Sequence, residues 1–198
     1  MATLKLITFC SHALGPNPWK VALPLEEVAL PYESKYLEFT EAKQENFMKL
    51  NPNGKLPAIE DPNTDITLFE SGAIIEYLID QYDTDARLHR TSLQEKYLER
   101  SWLHLQMSAQ GPSVGYKVWL SRLYPEDQVA SATEYFTKEI NRIIGVIDGH
   151  LTRTAFIPMY LVLNIFLSGY DPAGELRTRP SVIKIAADKR LLAQKSRK

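Results

Sequence analysis

Hydrophobic and polar positions follow two regimes along this chain. Up to about residue 82, short β-prone runs alternate with helical spacing; beyond residue 91 the spacing is helical alone. Leu4 to Phe9 is short and apolar and predicts a strand. Asn17-Pro18 then opens a helix, because Asn caps well and proline fits a first turn. Val21, Leu25 and Val28 continue it at helical spacing. Pro24 falls inside that helix, where it costs roughly 3 kcal/mol unless packing supports it or the helix kinks. Tyr32 to Leu37 predicts a second strand, Leu56-Pro57-Ala58-Ile59 enters a third, and Ile66 to Phe69 is a fourth. Asn51-Pro52-Asn53-Gly54 is a turn cluster, and Asp61-Pro62-Asn63 fills the hairpin between the last two strands. Ile74, Ile75, Leu78, Ile79 and Tyr82 predict a helix over Ser71 to Tyr82. The order β-α-β, connection, β-β-α is an α/β unit with a mixed sheet.

Asp83 to Thr91 is polar and unpatterned, and reads as a linker. Ser92-Leu93-Gln94-Glu95 is a capping box, and Leu98, Trp102 and Leu105 mark the helix behind it. Gln110-Gly111-Pro112 ends that helix or bends it sharply. Pro125, with Glu126 and Asp127 in a favourable first turn, opens another. Its apolar face runs from Val129 through Ala132, Phe136, Ile140, Ile143 and Ile147 to Leu151. The fold class is therefore α/β plus all-α: an α/β domain over residues 1–82, a linker over 83–91, and a helical domain over 92–198.

Charge changes the picture at one end. From Glu175 to Lys198 eight basic residues face only Glu175 and Asp188, a local charge of +6 in a chain whose total is −1. The remainder carries −7, a shift that marks a tail or a change of origin. The near-zero total argues against a nucleic-acid binder. A single cysteine excludes an internal disulfide and a four-cysteine zinc site, and points to a reducing compartment. No metal is expected. Met1 to Lys5 has no secretory pattern, and Pro158 and Asn164 interrupt the long uncharged run Phe156 to Tyr170. That run is shorter than the ~18–20 residues of a spanning helix, so a cytoplasmic protein without membrane contact is expected.

Three segments carry chemistry. Glu70-Ser71-Gly72-Ala73 lies where a strand gives way to a helix, whose first N–H groups lack internal partners. A carboxylate can bind there beside the Ser71 hydroxyl, and Glu70 can hold an ammonium, a pairing suited to an α-amino-acid end. The simpler alternative is that Ser71 only caps the helix. Leu56-Pro57 precedes a strand, where proline is often cis; the Leu56 backbone then faces outward and can pair with an extended peptide. The alternative is an edge proline that blocks aggregation. Asn17, after Gly15-Pro16, lies at a helix start, either as a plain N-cap or as an amide donor to a thiolate.

Taken in order, Gly15 to Val21, Asn51 to Ile59 and Glu70 to Leu78 resemble the glutathione S-transferase superfamily, and more narrowly its fungal branch related to the yeast nitrogen-catabolite regulator. Trp102 to Ser108 and Gln110-Gly111-Pro112 are similar to the same branch. The resemblance implies a thioredoxin-like first domain, a helical second domain and a homodimer. It implies glutathione as co-substrate, with Glu70 and Ser71 on the γ-glutamyl end and the Leu56 backbone, before a cis Pro57, on the cysteinyl unit. Asn17 would face the sulfur, and the reaction would be attack of the thiolate on a small electrophile, in fungal secondary metabolism or detoxification. Cys10, Ser11 and His12 compete with Asn17 for the sulfur, with Cys10 better suited to a buried apolar role. Lys43 or Gln44 is a candidate for the glycyl carboxylate, unless Ala42 occupies that spot; His104 is expected at an interface.

The resemblance covers Leu4 to Val162 and stops there. Leu163 to Pro172 holds no capping box, so the second domain looks truncated or altered and the residues beyond 162 are expected to pack poorly. Ser181 to Leu192 has helix potential but too much charge for a core element. Two other functions stay open: a non-catalytic regulatory or binding protein on the same fold, and an inactive product with an altered C-terminus.

Overall fold

In the computed structural model, residues 3–124, 129–153 and 180–195 are described. They form two compact units, one made of the residues up to His89 together with the C-terminal helix, the other beginning at Arg90.

The first unit is built on four strands: β1 (Ile7–Ser11), β2 (Tyr32–Tyr36), β3 (Ala58–Asp61) and β4 (Ile66–Phe69), in the order β2-β1-β3-β4. β1 runs parallel to β2 and antiparallel to β3, and β3 is antiparallel to β4. This is the mixed sheet the sequence leads one to expect. Helix α1 (Pro16–Glu27) connects β1 to β2 and packs beside α3 (Ser71–Tyr82), which follows β4. Short helical turns at Glu41–Lys43 and at α2 (Glu45–Met48) fill the connection that periodicity left blank. Ile7, Phe9, Leu23, Ile59, Ile74 and Leu78 are fully buried between sheet and helices. β1 begins three residues later than the apolar run suggests, because its pairing with β2 starts at Ile7 opposite Tyr32. Leu4 and Leu6 stay exposed.

Pro24 does sit inside α1, with the helix continuous from Pro16 to Glu27 and buried from Pro18 to Leu25. Packing on that whole face supports the helix through the lost hydrogen bond. Gly54 has φ +60° and a side chain there would meet the Ala42 carbonyl at 2.9 Å, so the turn before β3 requires glycine.

The second unit is helical: α4 (Leu93–Leu105), α5 (Gly111–Val118) and α6 (Ala130–Leu151). Ser92 caps α4 as expected by accepting the Glu95 N–H at 3.3 Å, while the Glu95 carboxylate returns to the Ser92 hydroxyl, which donates to it at 2.5 Å. Gln110-Gly111-Pro112 neither ends nor breaks the helix. A widened turn over Gln106–Gln110 joins α4 to α5, and the buried Gln106 amide donates to Gln110 at 3.1 Å. Widening the turn relieves the clash that proline imposes on the preceding carbonyls. On α6, Ile143 and Ile147 are buried, while Val129, just before the helix, is exposed. The expected start at Pro125 to Asp127 lies outside the described residues.

The last described helix, α7 (Pro180–Lys195), corrects the expectation of a poorly packed tail. It belongs to the first unit and packs on α1. Val182 and Ile185 are each only 2% exposed. The charge that argued against a core role lies at the rim of the contact. The Ser181 hydroxyl donates to Glu27 and the Lys184 ammonium to Glu26. Lys184 also lies 5.9 Å from the centre of the Tyr32 ring. An amphipathic helix needs only a narrow apolar stripe when the facing helix supplies counter-charges. Residues 163–179 lie outside the described residues.

Asp83 closes the end of α3. Its carboxylate accepts the backbone N–H groups of Arg87 at 2.9 Å and Leu88 at 2.7 Å, and bonds His89 Nδ1 at 2.8 Å. Burial pushes the carboxyl up, but the Leu88 and Arg87 N–H groups outweigh it and hold it below its usual range.

Two expectations follow from this packing. Ile185→Ala should lower stability by about 2–5 kcal/mol in equilibrium denaturation, and amides 182–188 should exchange slowly with solvent, as buried helix amides do. A group whose pKa is depressed by folding stabilises the protein above its ordinary pKa and loses that contribution as pH falls through the depressed value. Asp83→Asn should therefore cost about 1–3 kcal/mol at neutral pH and flatten the acid limb of a stability–pH curve below about pH 4.

Candidate functional site

The strand register brings the three chemistry-bearing segments together. Cys10 pairs with Ala58, and Ala58 pairs with Phe69, in one row across three strands. Cys10 also pairs with Lys35 of β2. β1 and β2 leave the sheet past that row, β3 enters the sheet just before it, and β4 leaves just after it. The loop into α1, the Leu56-Pro57 segment and the Glu70-Ser71 junction therefore all lie at the same end of the sheet, with Glu38 and Phe39 after β2 beside them.

Asn17 stands in the first turn of α1 with its side chain exposed. It is not the N-cap: Gly15 takes that position, with extended φ and ψ of −65° and 129°, and Pro16 is the first helical residue. The plain capping role expected of Asn17 is corrected accordingly, since the prolines on either side of it set the helix start two residues earlier. Its side chain is left at the positive end of the helix.

His12 shapes the loop that leads there. Its Nδ1 accepts the N–H groups of Leu14 and Gly15, each at 3.0 Å. Two donors at Nδ1 leave the ring proton on Nε2, which lies 3.7 Å from a Glu38 oxygen. The ring stacks on Phe39 with centroids 3.8 Å apart. His12 is thus engaged in holding the loop. Ser11 and Cys10 are buried at the end of β1, and Cys10 packs with Ala42, Phe47, Leu56 and Ala58. Burial, reinforced by the Glu60 charge, pushes the Cys10 thiol up, which disfavours its thiolate.

Leu56 sends its side chain into that same cluster, and the Leu56-Pro57 peptide bond is cis. The β3 ladder begins at Ala58, so the Leu56 backbone lies beyond it. The Asn51 side chain ties the approach by donating to the Lys55 carbonyl at 2.6 Å. Ala42 is buried, while Lys43 and Gln44 are exposed, with the Lys43 ammonium 3.4 Å from the Asn53 carbonyl oxygen.

At the third segment, Glu70 occupies the N-cap of α3 with φ +66° and ψ 115° and makes no side-chain cap. A left-handed φ on a non-glycine residue is held in place only by its surroundings. Ser71 is the first helical residue and 2% exposed, so it is not the capping residue of the simpler reading. The first internal bond of the helix runs from the Ile74 N–H to the Glu70 carbonyl at 3.0 Å. The Ser71, Gly72 and Ala73 N–H groups precede it and create the positive potential of a helix start.

One charged residue was not singled out by sequence: Lys20, fully buried on α1. Burial lowers its pKa to about 7, while the Glu70 carboxylate pulls it upward. Its signal was a lysine amid Trp19, Val21, Ala22 and Leu23. His104 is exposed on its own unit. Among the described residues no group of three His, Cys, Asp or Glu side chains could hold a metal ion, and no helix is long and apolar enough to cross a membrane.

Residues 7–80 match the family model for the N-terminal domain of glutathione S-transferases. The glutathione S-transferase-like protein OpS6 of Beauveria bassiana is 54% identical, in an alignment covering 98% of this chain and 100% of that protein. The glutathione S-transferase-like protein gedE of Aspergillus terreus is 47% identical over 73% of this chain and 64% of its own length. The Beauveria alignment is 218 positions long, whereas 98% of the 198 residues here is about 194, so about 24 positions face no residue of this chain. The chain is thus shortened relative to that protein, but the likeness does not stop at Val162: it runs through the basic tail. Among solved structures, glutathione transferase URE2P6 of Phanerochaete chrysosporium, crystallised with oxidized glutathione, matches with a TM-score of 0.83 and 34% identity, over 95% of this chain and 98% of that one. With a thioredoxin-like sheet, a helical second unit and these relatives, the chain belongs to the glutathione S-transferase superfamily, in its fungal Ure2-like branch.

Proposed function

We propose that this chain binds glutathione at the end of its sheet and transfers the tripeptide to a small electrophile. The observation that carries the reading is the convergence, at one sheet end, of two helix starts and an unladdered backbone segment. Glutathione presents matching groups along its length. Its γ-glutamyl end carries a carboxylate for the start of α3, with the Ser71 hydroxyl beside it, and an ammonium for Glu70. Its cysteinyl unit is an extended peptide that can pair with the Leu56 backbone before Pro57. Its sulfur then reaches the start of α1, where Asn17 stands exposed. Lys43 and Gln44 remain as candidates for the glycyl carboxylate.

The protein's part in the chemistry is to favour the thiolate. The Asn17 amide donates a hydrogen bond to the sulfur, and the helix end adds positive potential. Each unit by which the thiol pKa falls corresponds to about 1.4 kcal/mol. The thiolate attacks the electrophilic carbon, a C–S bond forms, the leaving group departs with its electron pair, and the thiol proton goes to solvent. A buried Cys10, its thiol pushed up by that burial, supports this assignment over disulfide exchange. The names of the Beauveria and Aspergillus relatives support the transferase kind.

Ser71→Ala and Glu70→Ala should each weaken glutathione binding by about 1 kcal/mol or more in calorimetric titration, since a charged ligand loses a hydrogen bond or counter-charge. Unchanged dissociation constants in both variants would remove the head-group site. Ultraviolet titration of bound glutathione should show a depressed thiol pKa that rises in Asn17→Ala and stays put in Cys10→Ser. The reverse pattern would indicate a cysteine-dependent exchange mechanism.

A further inference from the structure

His12 follows β1 directly and is 4% exposed. Its Nδ1 takes the Leu14 and Gly15 N–H groups, each at 3.0 Å. Gly15 is the N-cap of α1 and has no side-chain oxygen with which to satisfy donors itself. A Cβ on Gly15 would lie 3.5 Å from the His12 Cβ and 3.3 Å from the Pro18 Cδ, so His12 and the first turn of α1 close on the glycine from two sides. From the helix, the Trp19 indole N–H donates to the Ala13 carbonyl at 2.9 Å. The imidazole is itself braced. Phe39 stacks on it with centroids 3.8 Å apart, and the Leu37 N–H donates to the Ser11 carbonyl at 2.9 Å.

The turn held in this way has few donors. Pro16 and Pro18 carry no N–H, so among the first three helical residues Asn17 alone supplies a main-chain donor, together with its exposed side-chain amide. We infer that His12 is a positioning residue for the sulfur: the acceptor at its Nδ1 sets the start of α1 so that the Asn17 donors meet the thiolate of bound glutathione. The inference rests on the proposed role of Asn17 and deepens it by naming what holds that residue in place. A donor on a loose turn must be ordered when the ligand arrives, and fastening the turn beforehand lowers that cost.

The test reads the thiol pKa of bound glutathione by ultraviolet titration of the full chain. The dissociation constant of S-methylglutathione, which has no titrating thiol, is measured alongside by calorimetry. His12→Phe keeps a ring against Phe39 and removes the acceptor. It should raise the bound thiol pKa by about one unit, the scale of one hydrogen bond to a charged group, and change the S-methylglutathione constant less than about twofold. His12→Asn, whose side-chain oxygen can take the place of Nδ1, should restore most of that loss. In an Asn17→Ala background, His12→Phe should raise the pKa less than about half as much, because residues acting through one another are not additive. His12→Leu serves as a second replacement if the phenylalanine variant melts early. An unmoved thiol pKa in His12→Phe would overturn the inference. So would an equal rise in both backgrounds, or a rise in His12→Asn as large as in His12→Phe. A parallel loss of S-methylglutathione binding would make His12 a general structural residue and overturn it too. If Asn17→Ala by itself leaves the thiol pKa unmoved, the assignment of Asn17 to the sulfur falls first, a failure that this single variant tells apart from the others.

Discussion

Everything at the candidate site depends on the register that sets Cys10, Ala58 and Phe69 in one row. A slip of one residue in β3 would send Ala58 and Ile59 each to the opposite face of the sheet and carry Leu56-Pro57 away from the starts of α1 and α3. The register is held from several sides. Ile59 is fully buried, the β3–β4 hairpin is short, and Gly54 admits the close passage of the chain past Ala42. Below it, the small side chains of Cys10, Ala42 and Ala58 leave room for Leu56 and Phe47. A cluster of that size has little tolerance for a bulkier residue at any of the three small positions.

The site is made largely of helix ends rather than of charged side chains. Starts of helices carry positive potential without the desolvation penalty of a buried cation, which suits a ligand with carboxylates and a thiolate. Prolines at residues 16 and 18 set where α1 begins, and His12 fastens the preceding loop through two backbone N–H groups. Glu70 is the exception. It adds a carboxylate at the start of α3, on a residue whose backbone holds a left-handed φ of +66°.

The C-terminal helix illustrates how charge can mislead a reading by composition. A +6 segment looks unfit for packing, and averaged over its length it is. Burial, however, is decided residue by residue. Val182 and Ile185 are three apart on one helical face, and the acids that meet their neighbours Lys184 and Ser181, Glu26 and Glu27, belong to α1, some 150 positions earlier in the chain. Lys184, one of the residues that make the tail basic, supplies a counter-charge to α1.

Local pattern in the sequence determined a good deal of this protein. The four strands, the helix over Ser71–Tyr82 and the Ser92 cap were legible because each depends on neighbours within a few residues, while the cis bond before Pro57 followed from the family resemblance. So were the motif segments around Asn17, Leu56 and Glu70, whose residue types mark helix starts and turns. Tertiary structure decided the rest. Pairing with β2 moved the start of β1 to Ile7, a widened turn carried the helix past Pro112, and Gly15 displaced Asn17 as the cap. Only the fold could bury Lys20 on α1 and seat Val182 and Ile185 against that helix, because those contacts join residues far apart in sequence. Their free energy comes from excluding water between surfaces that no local window contains.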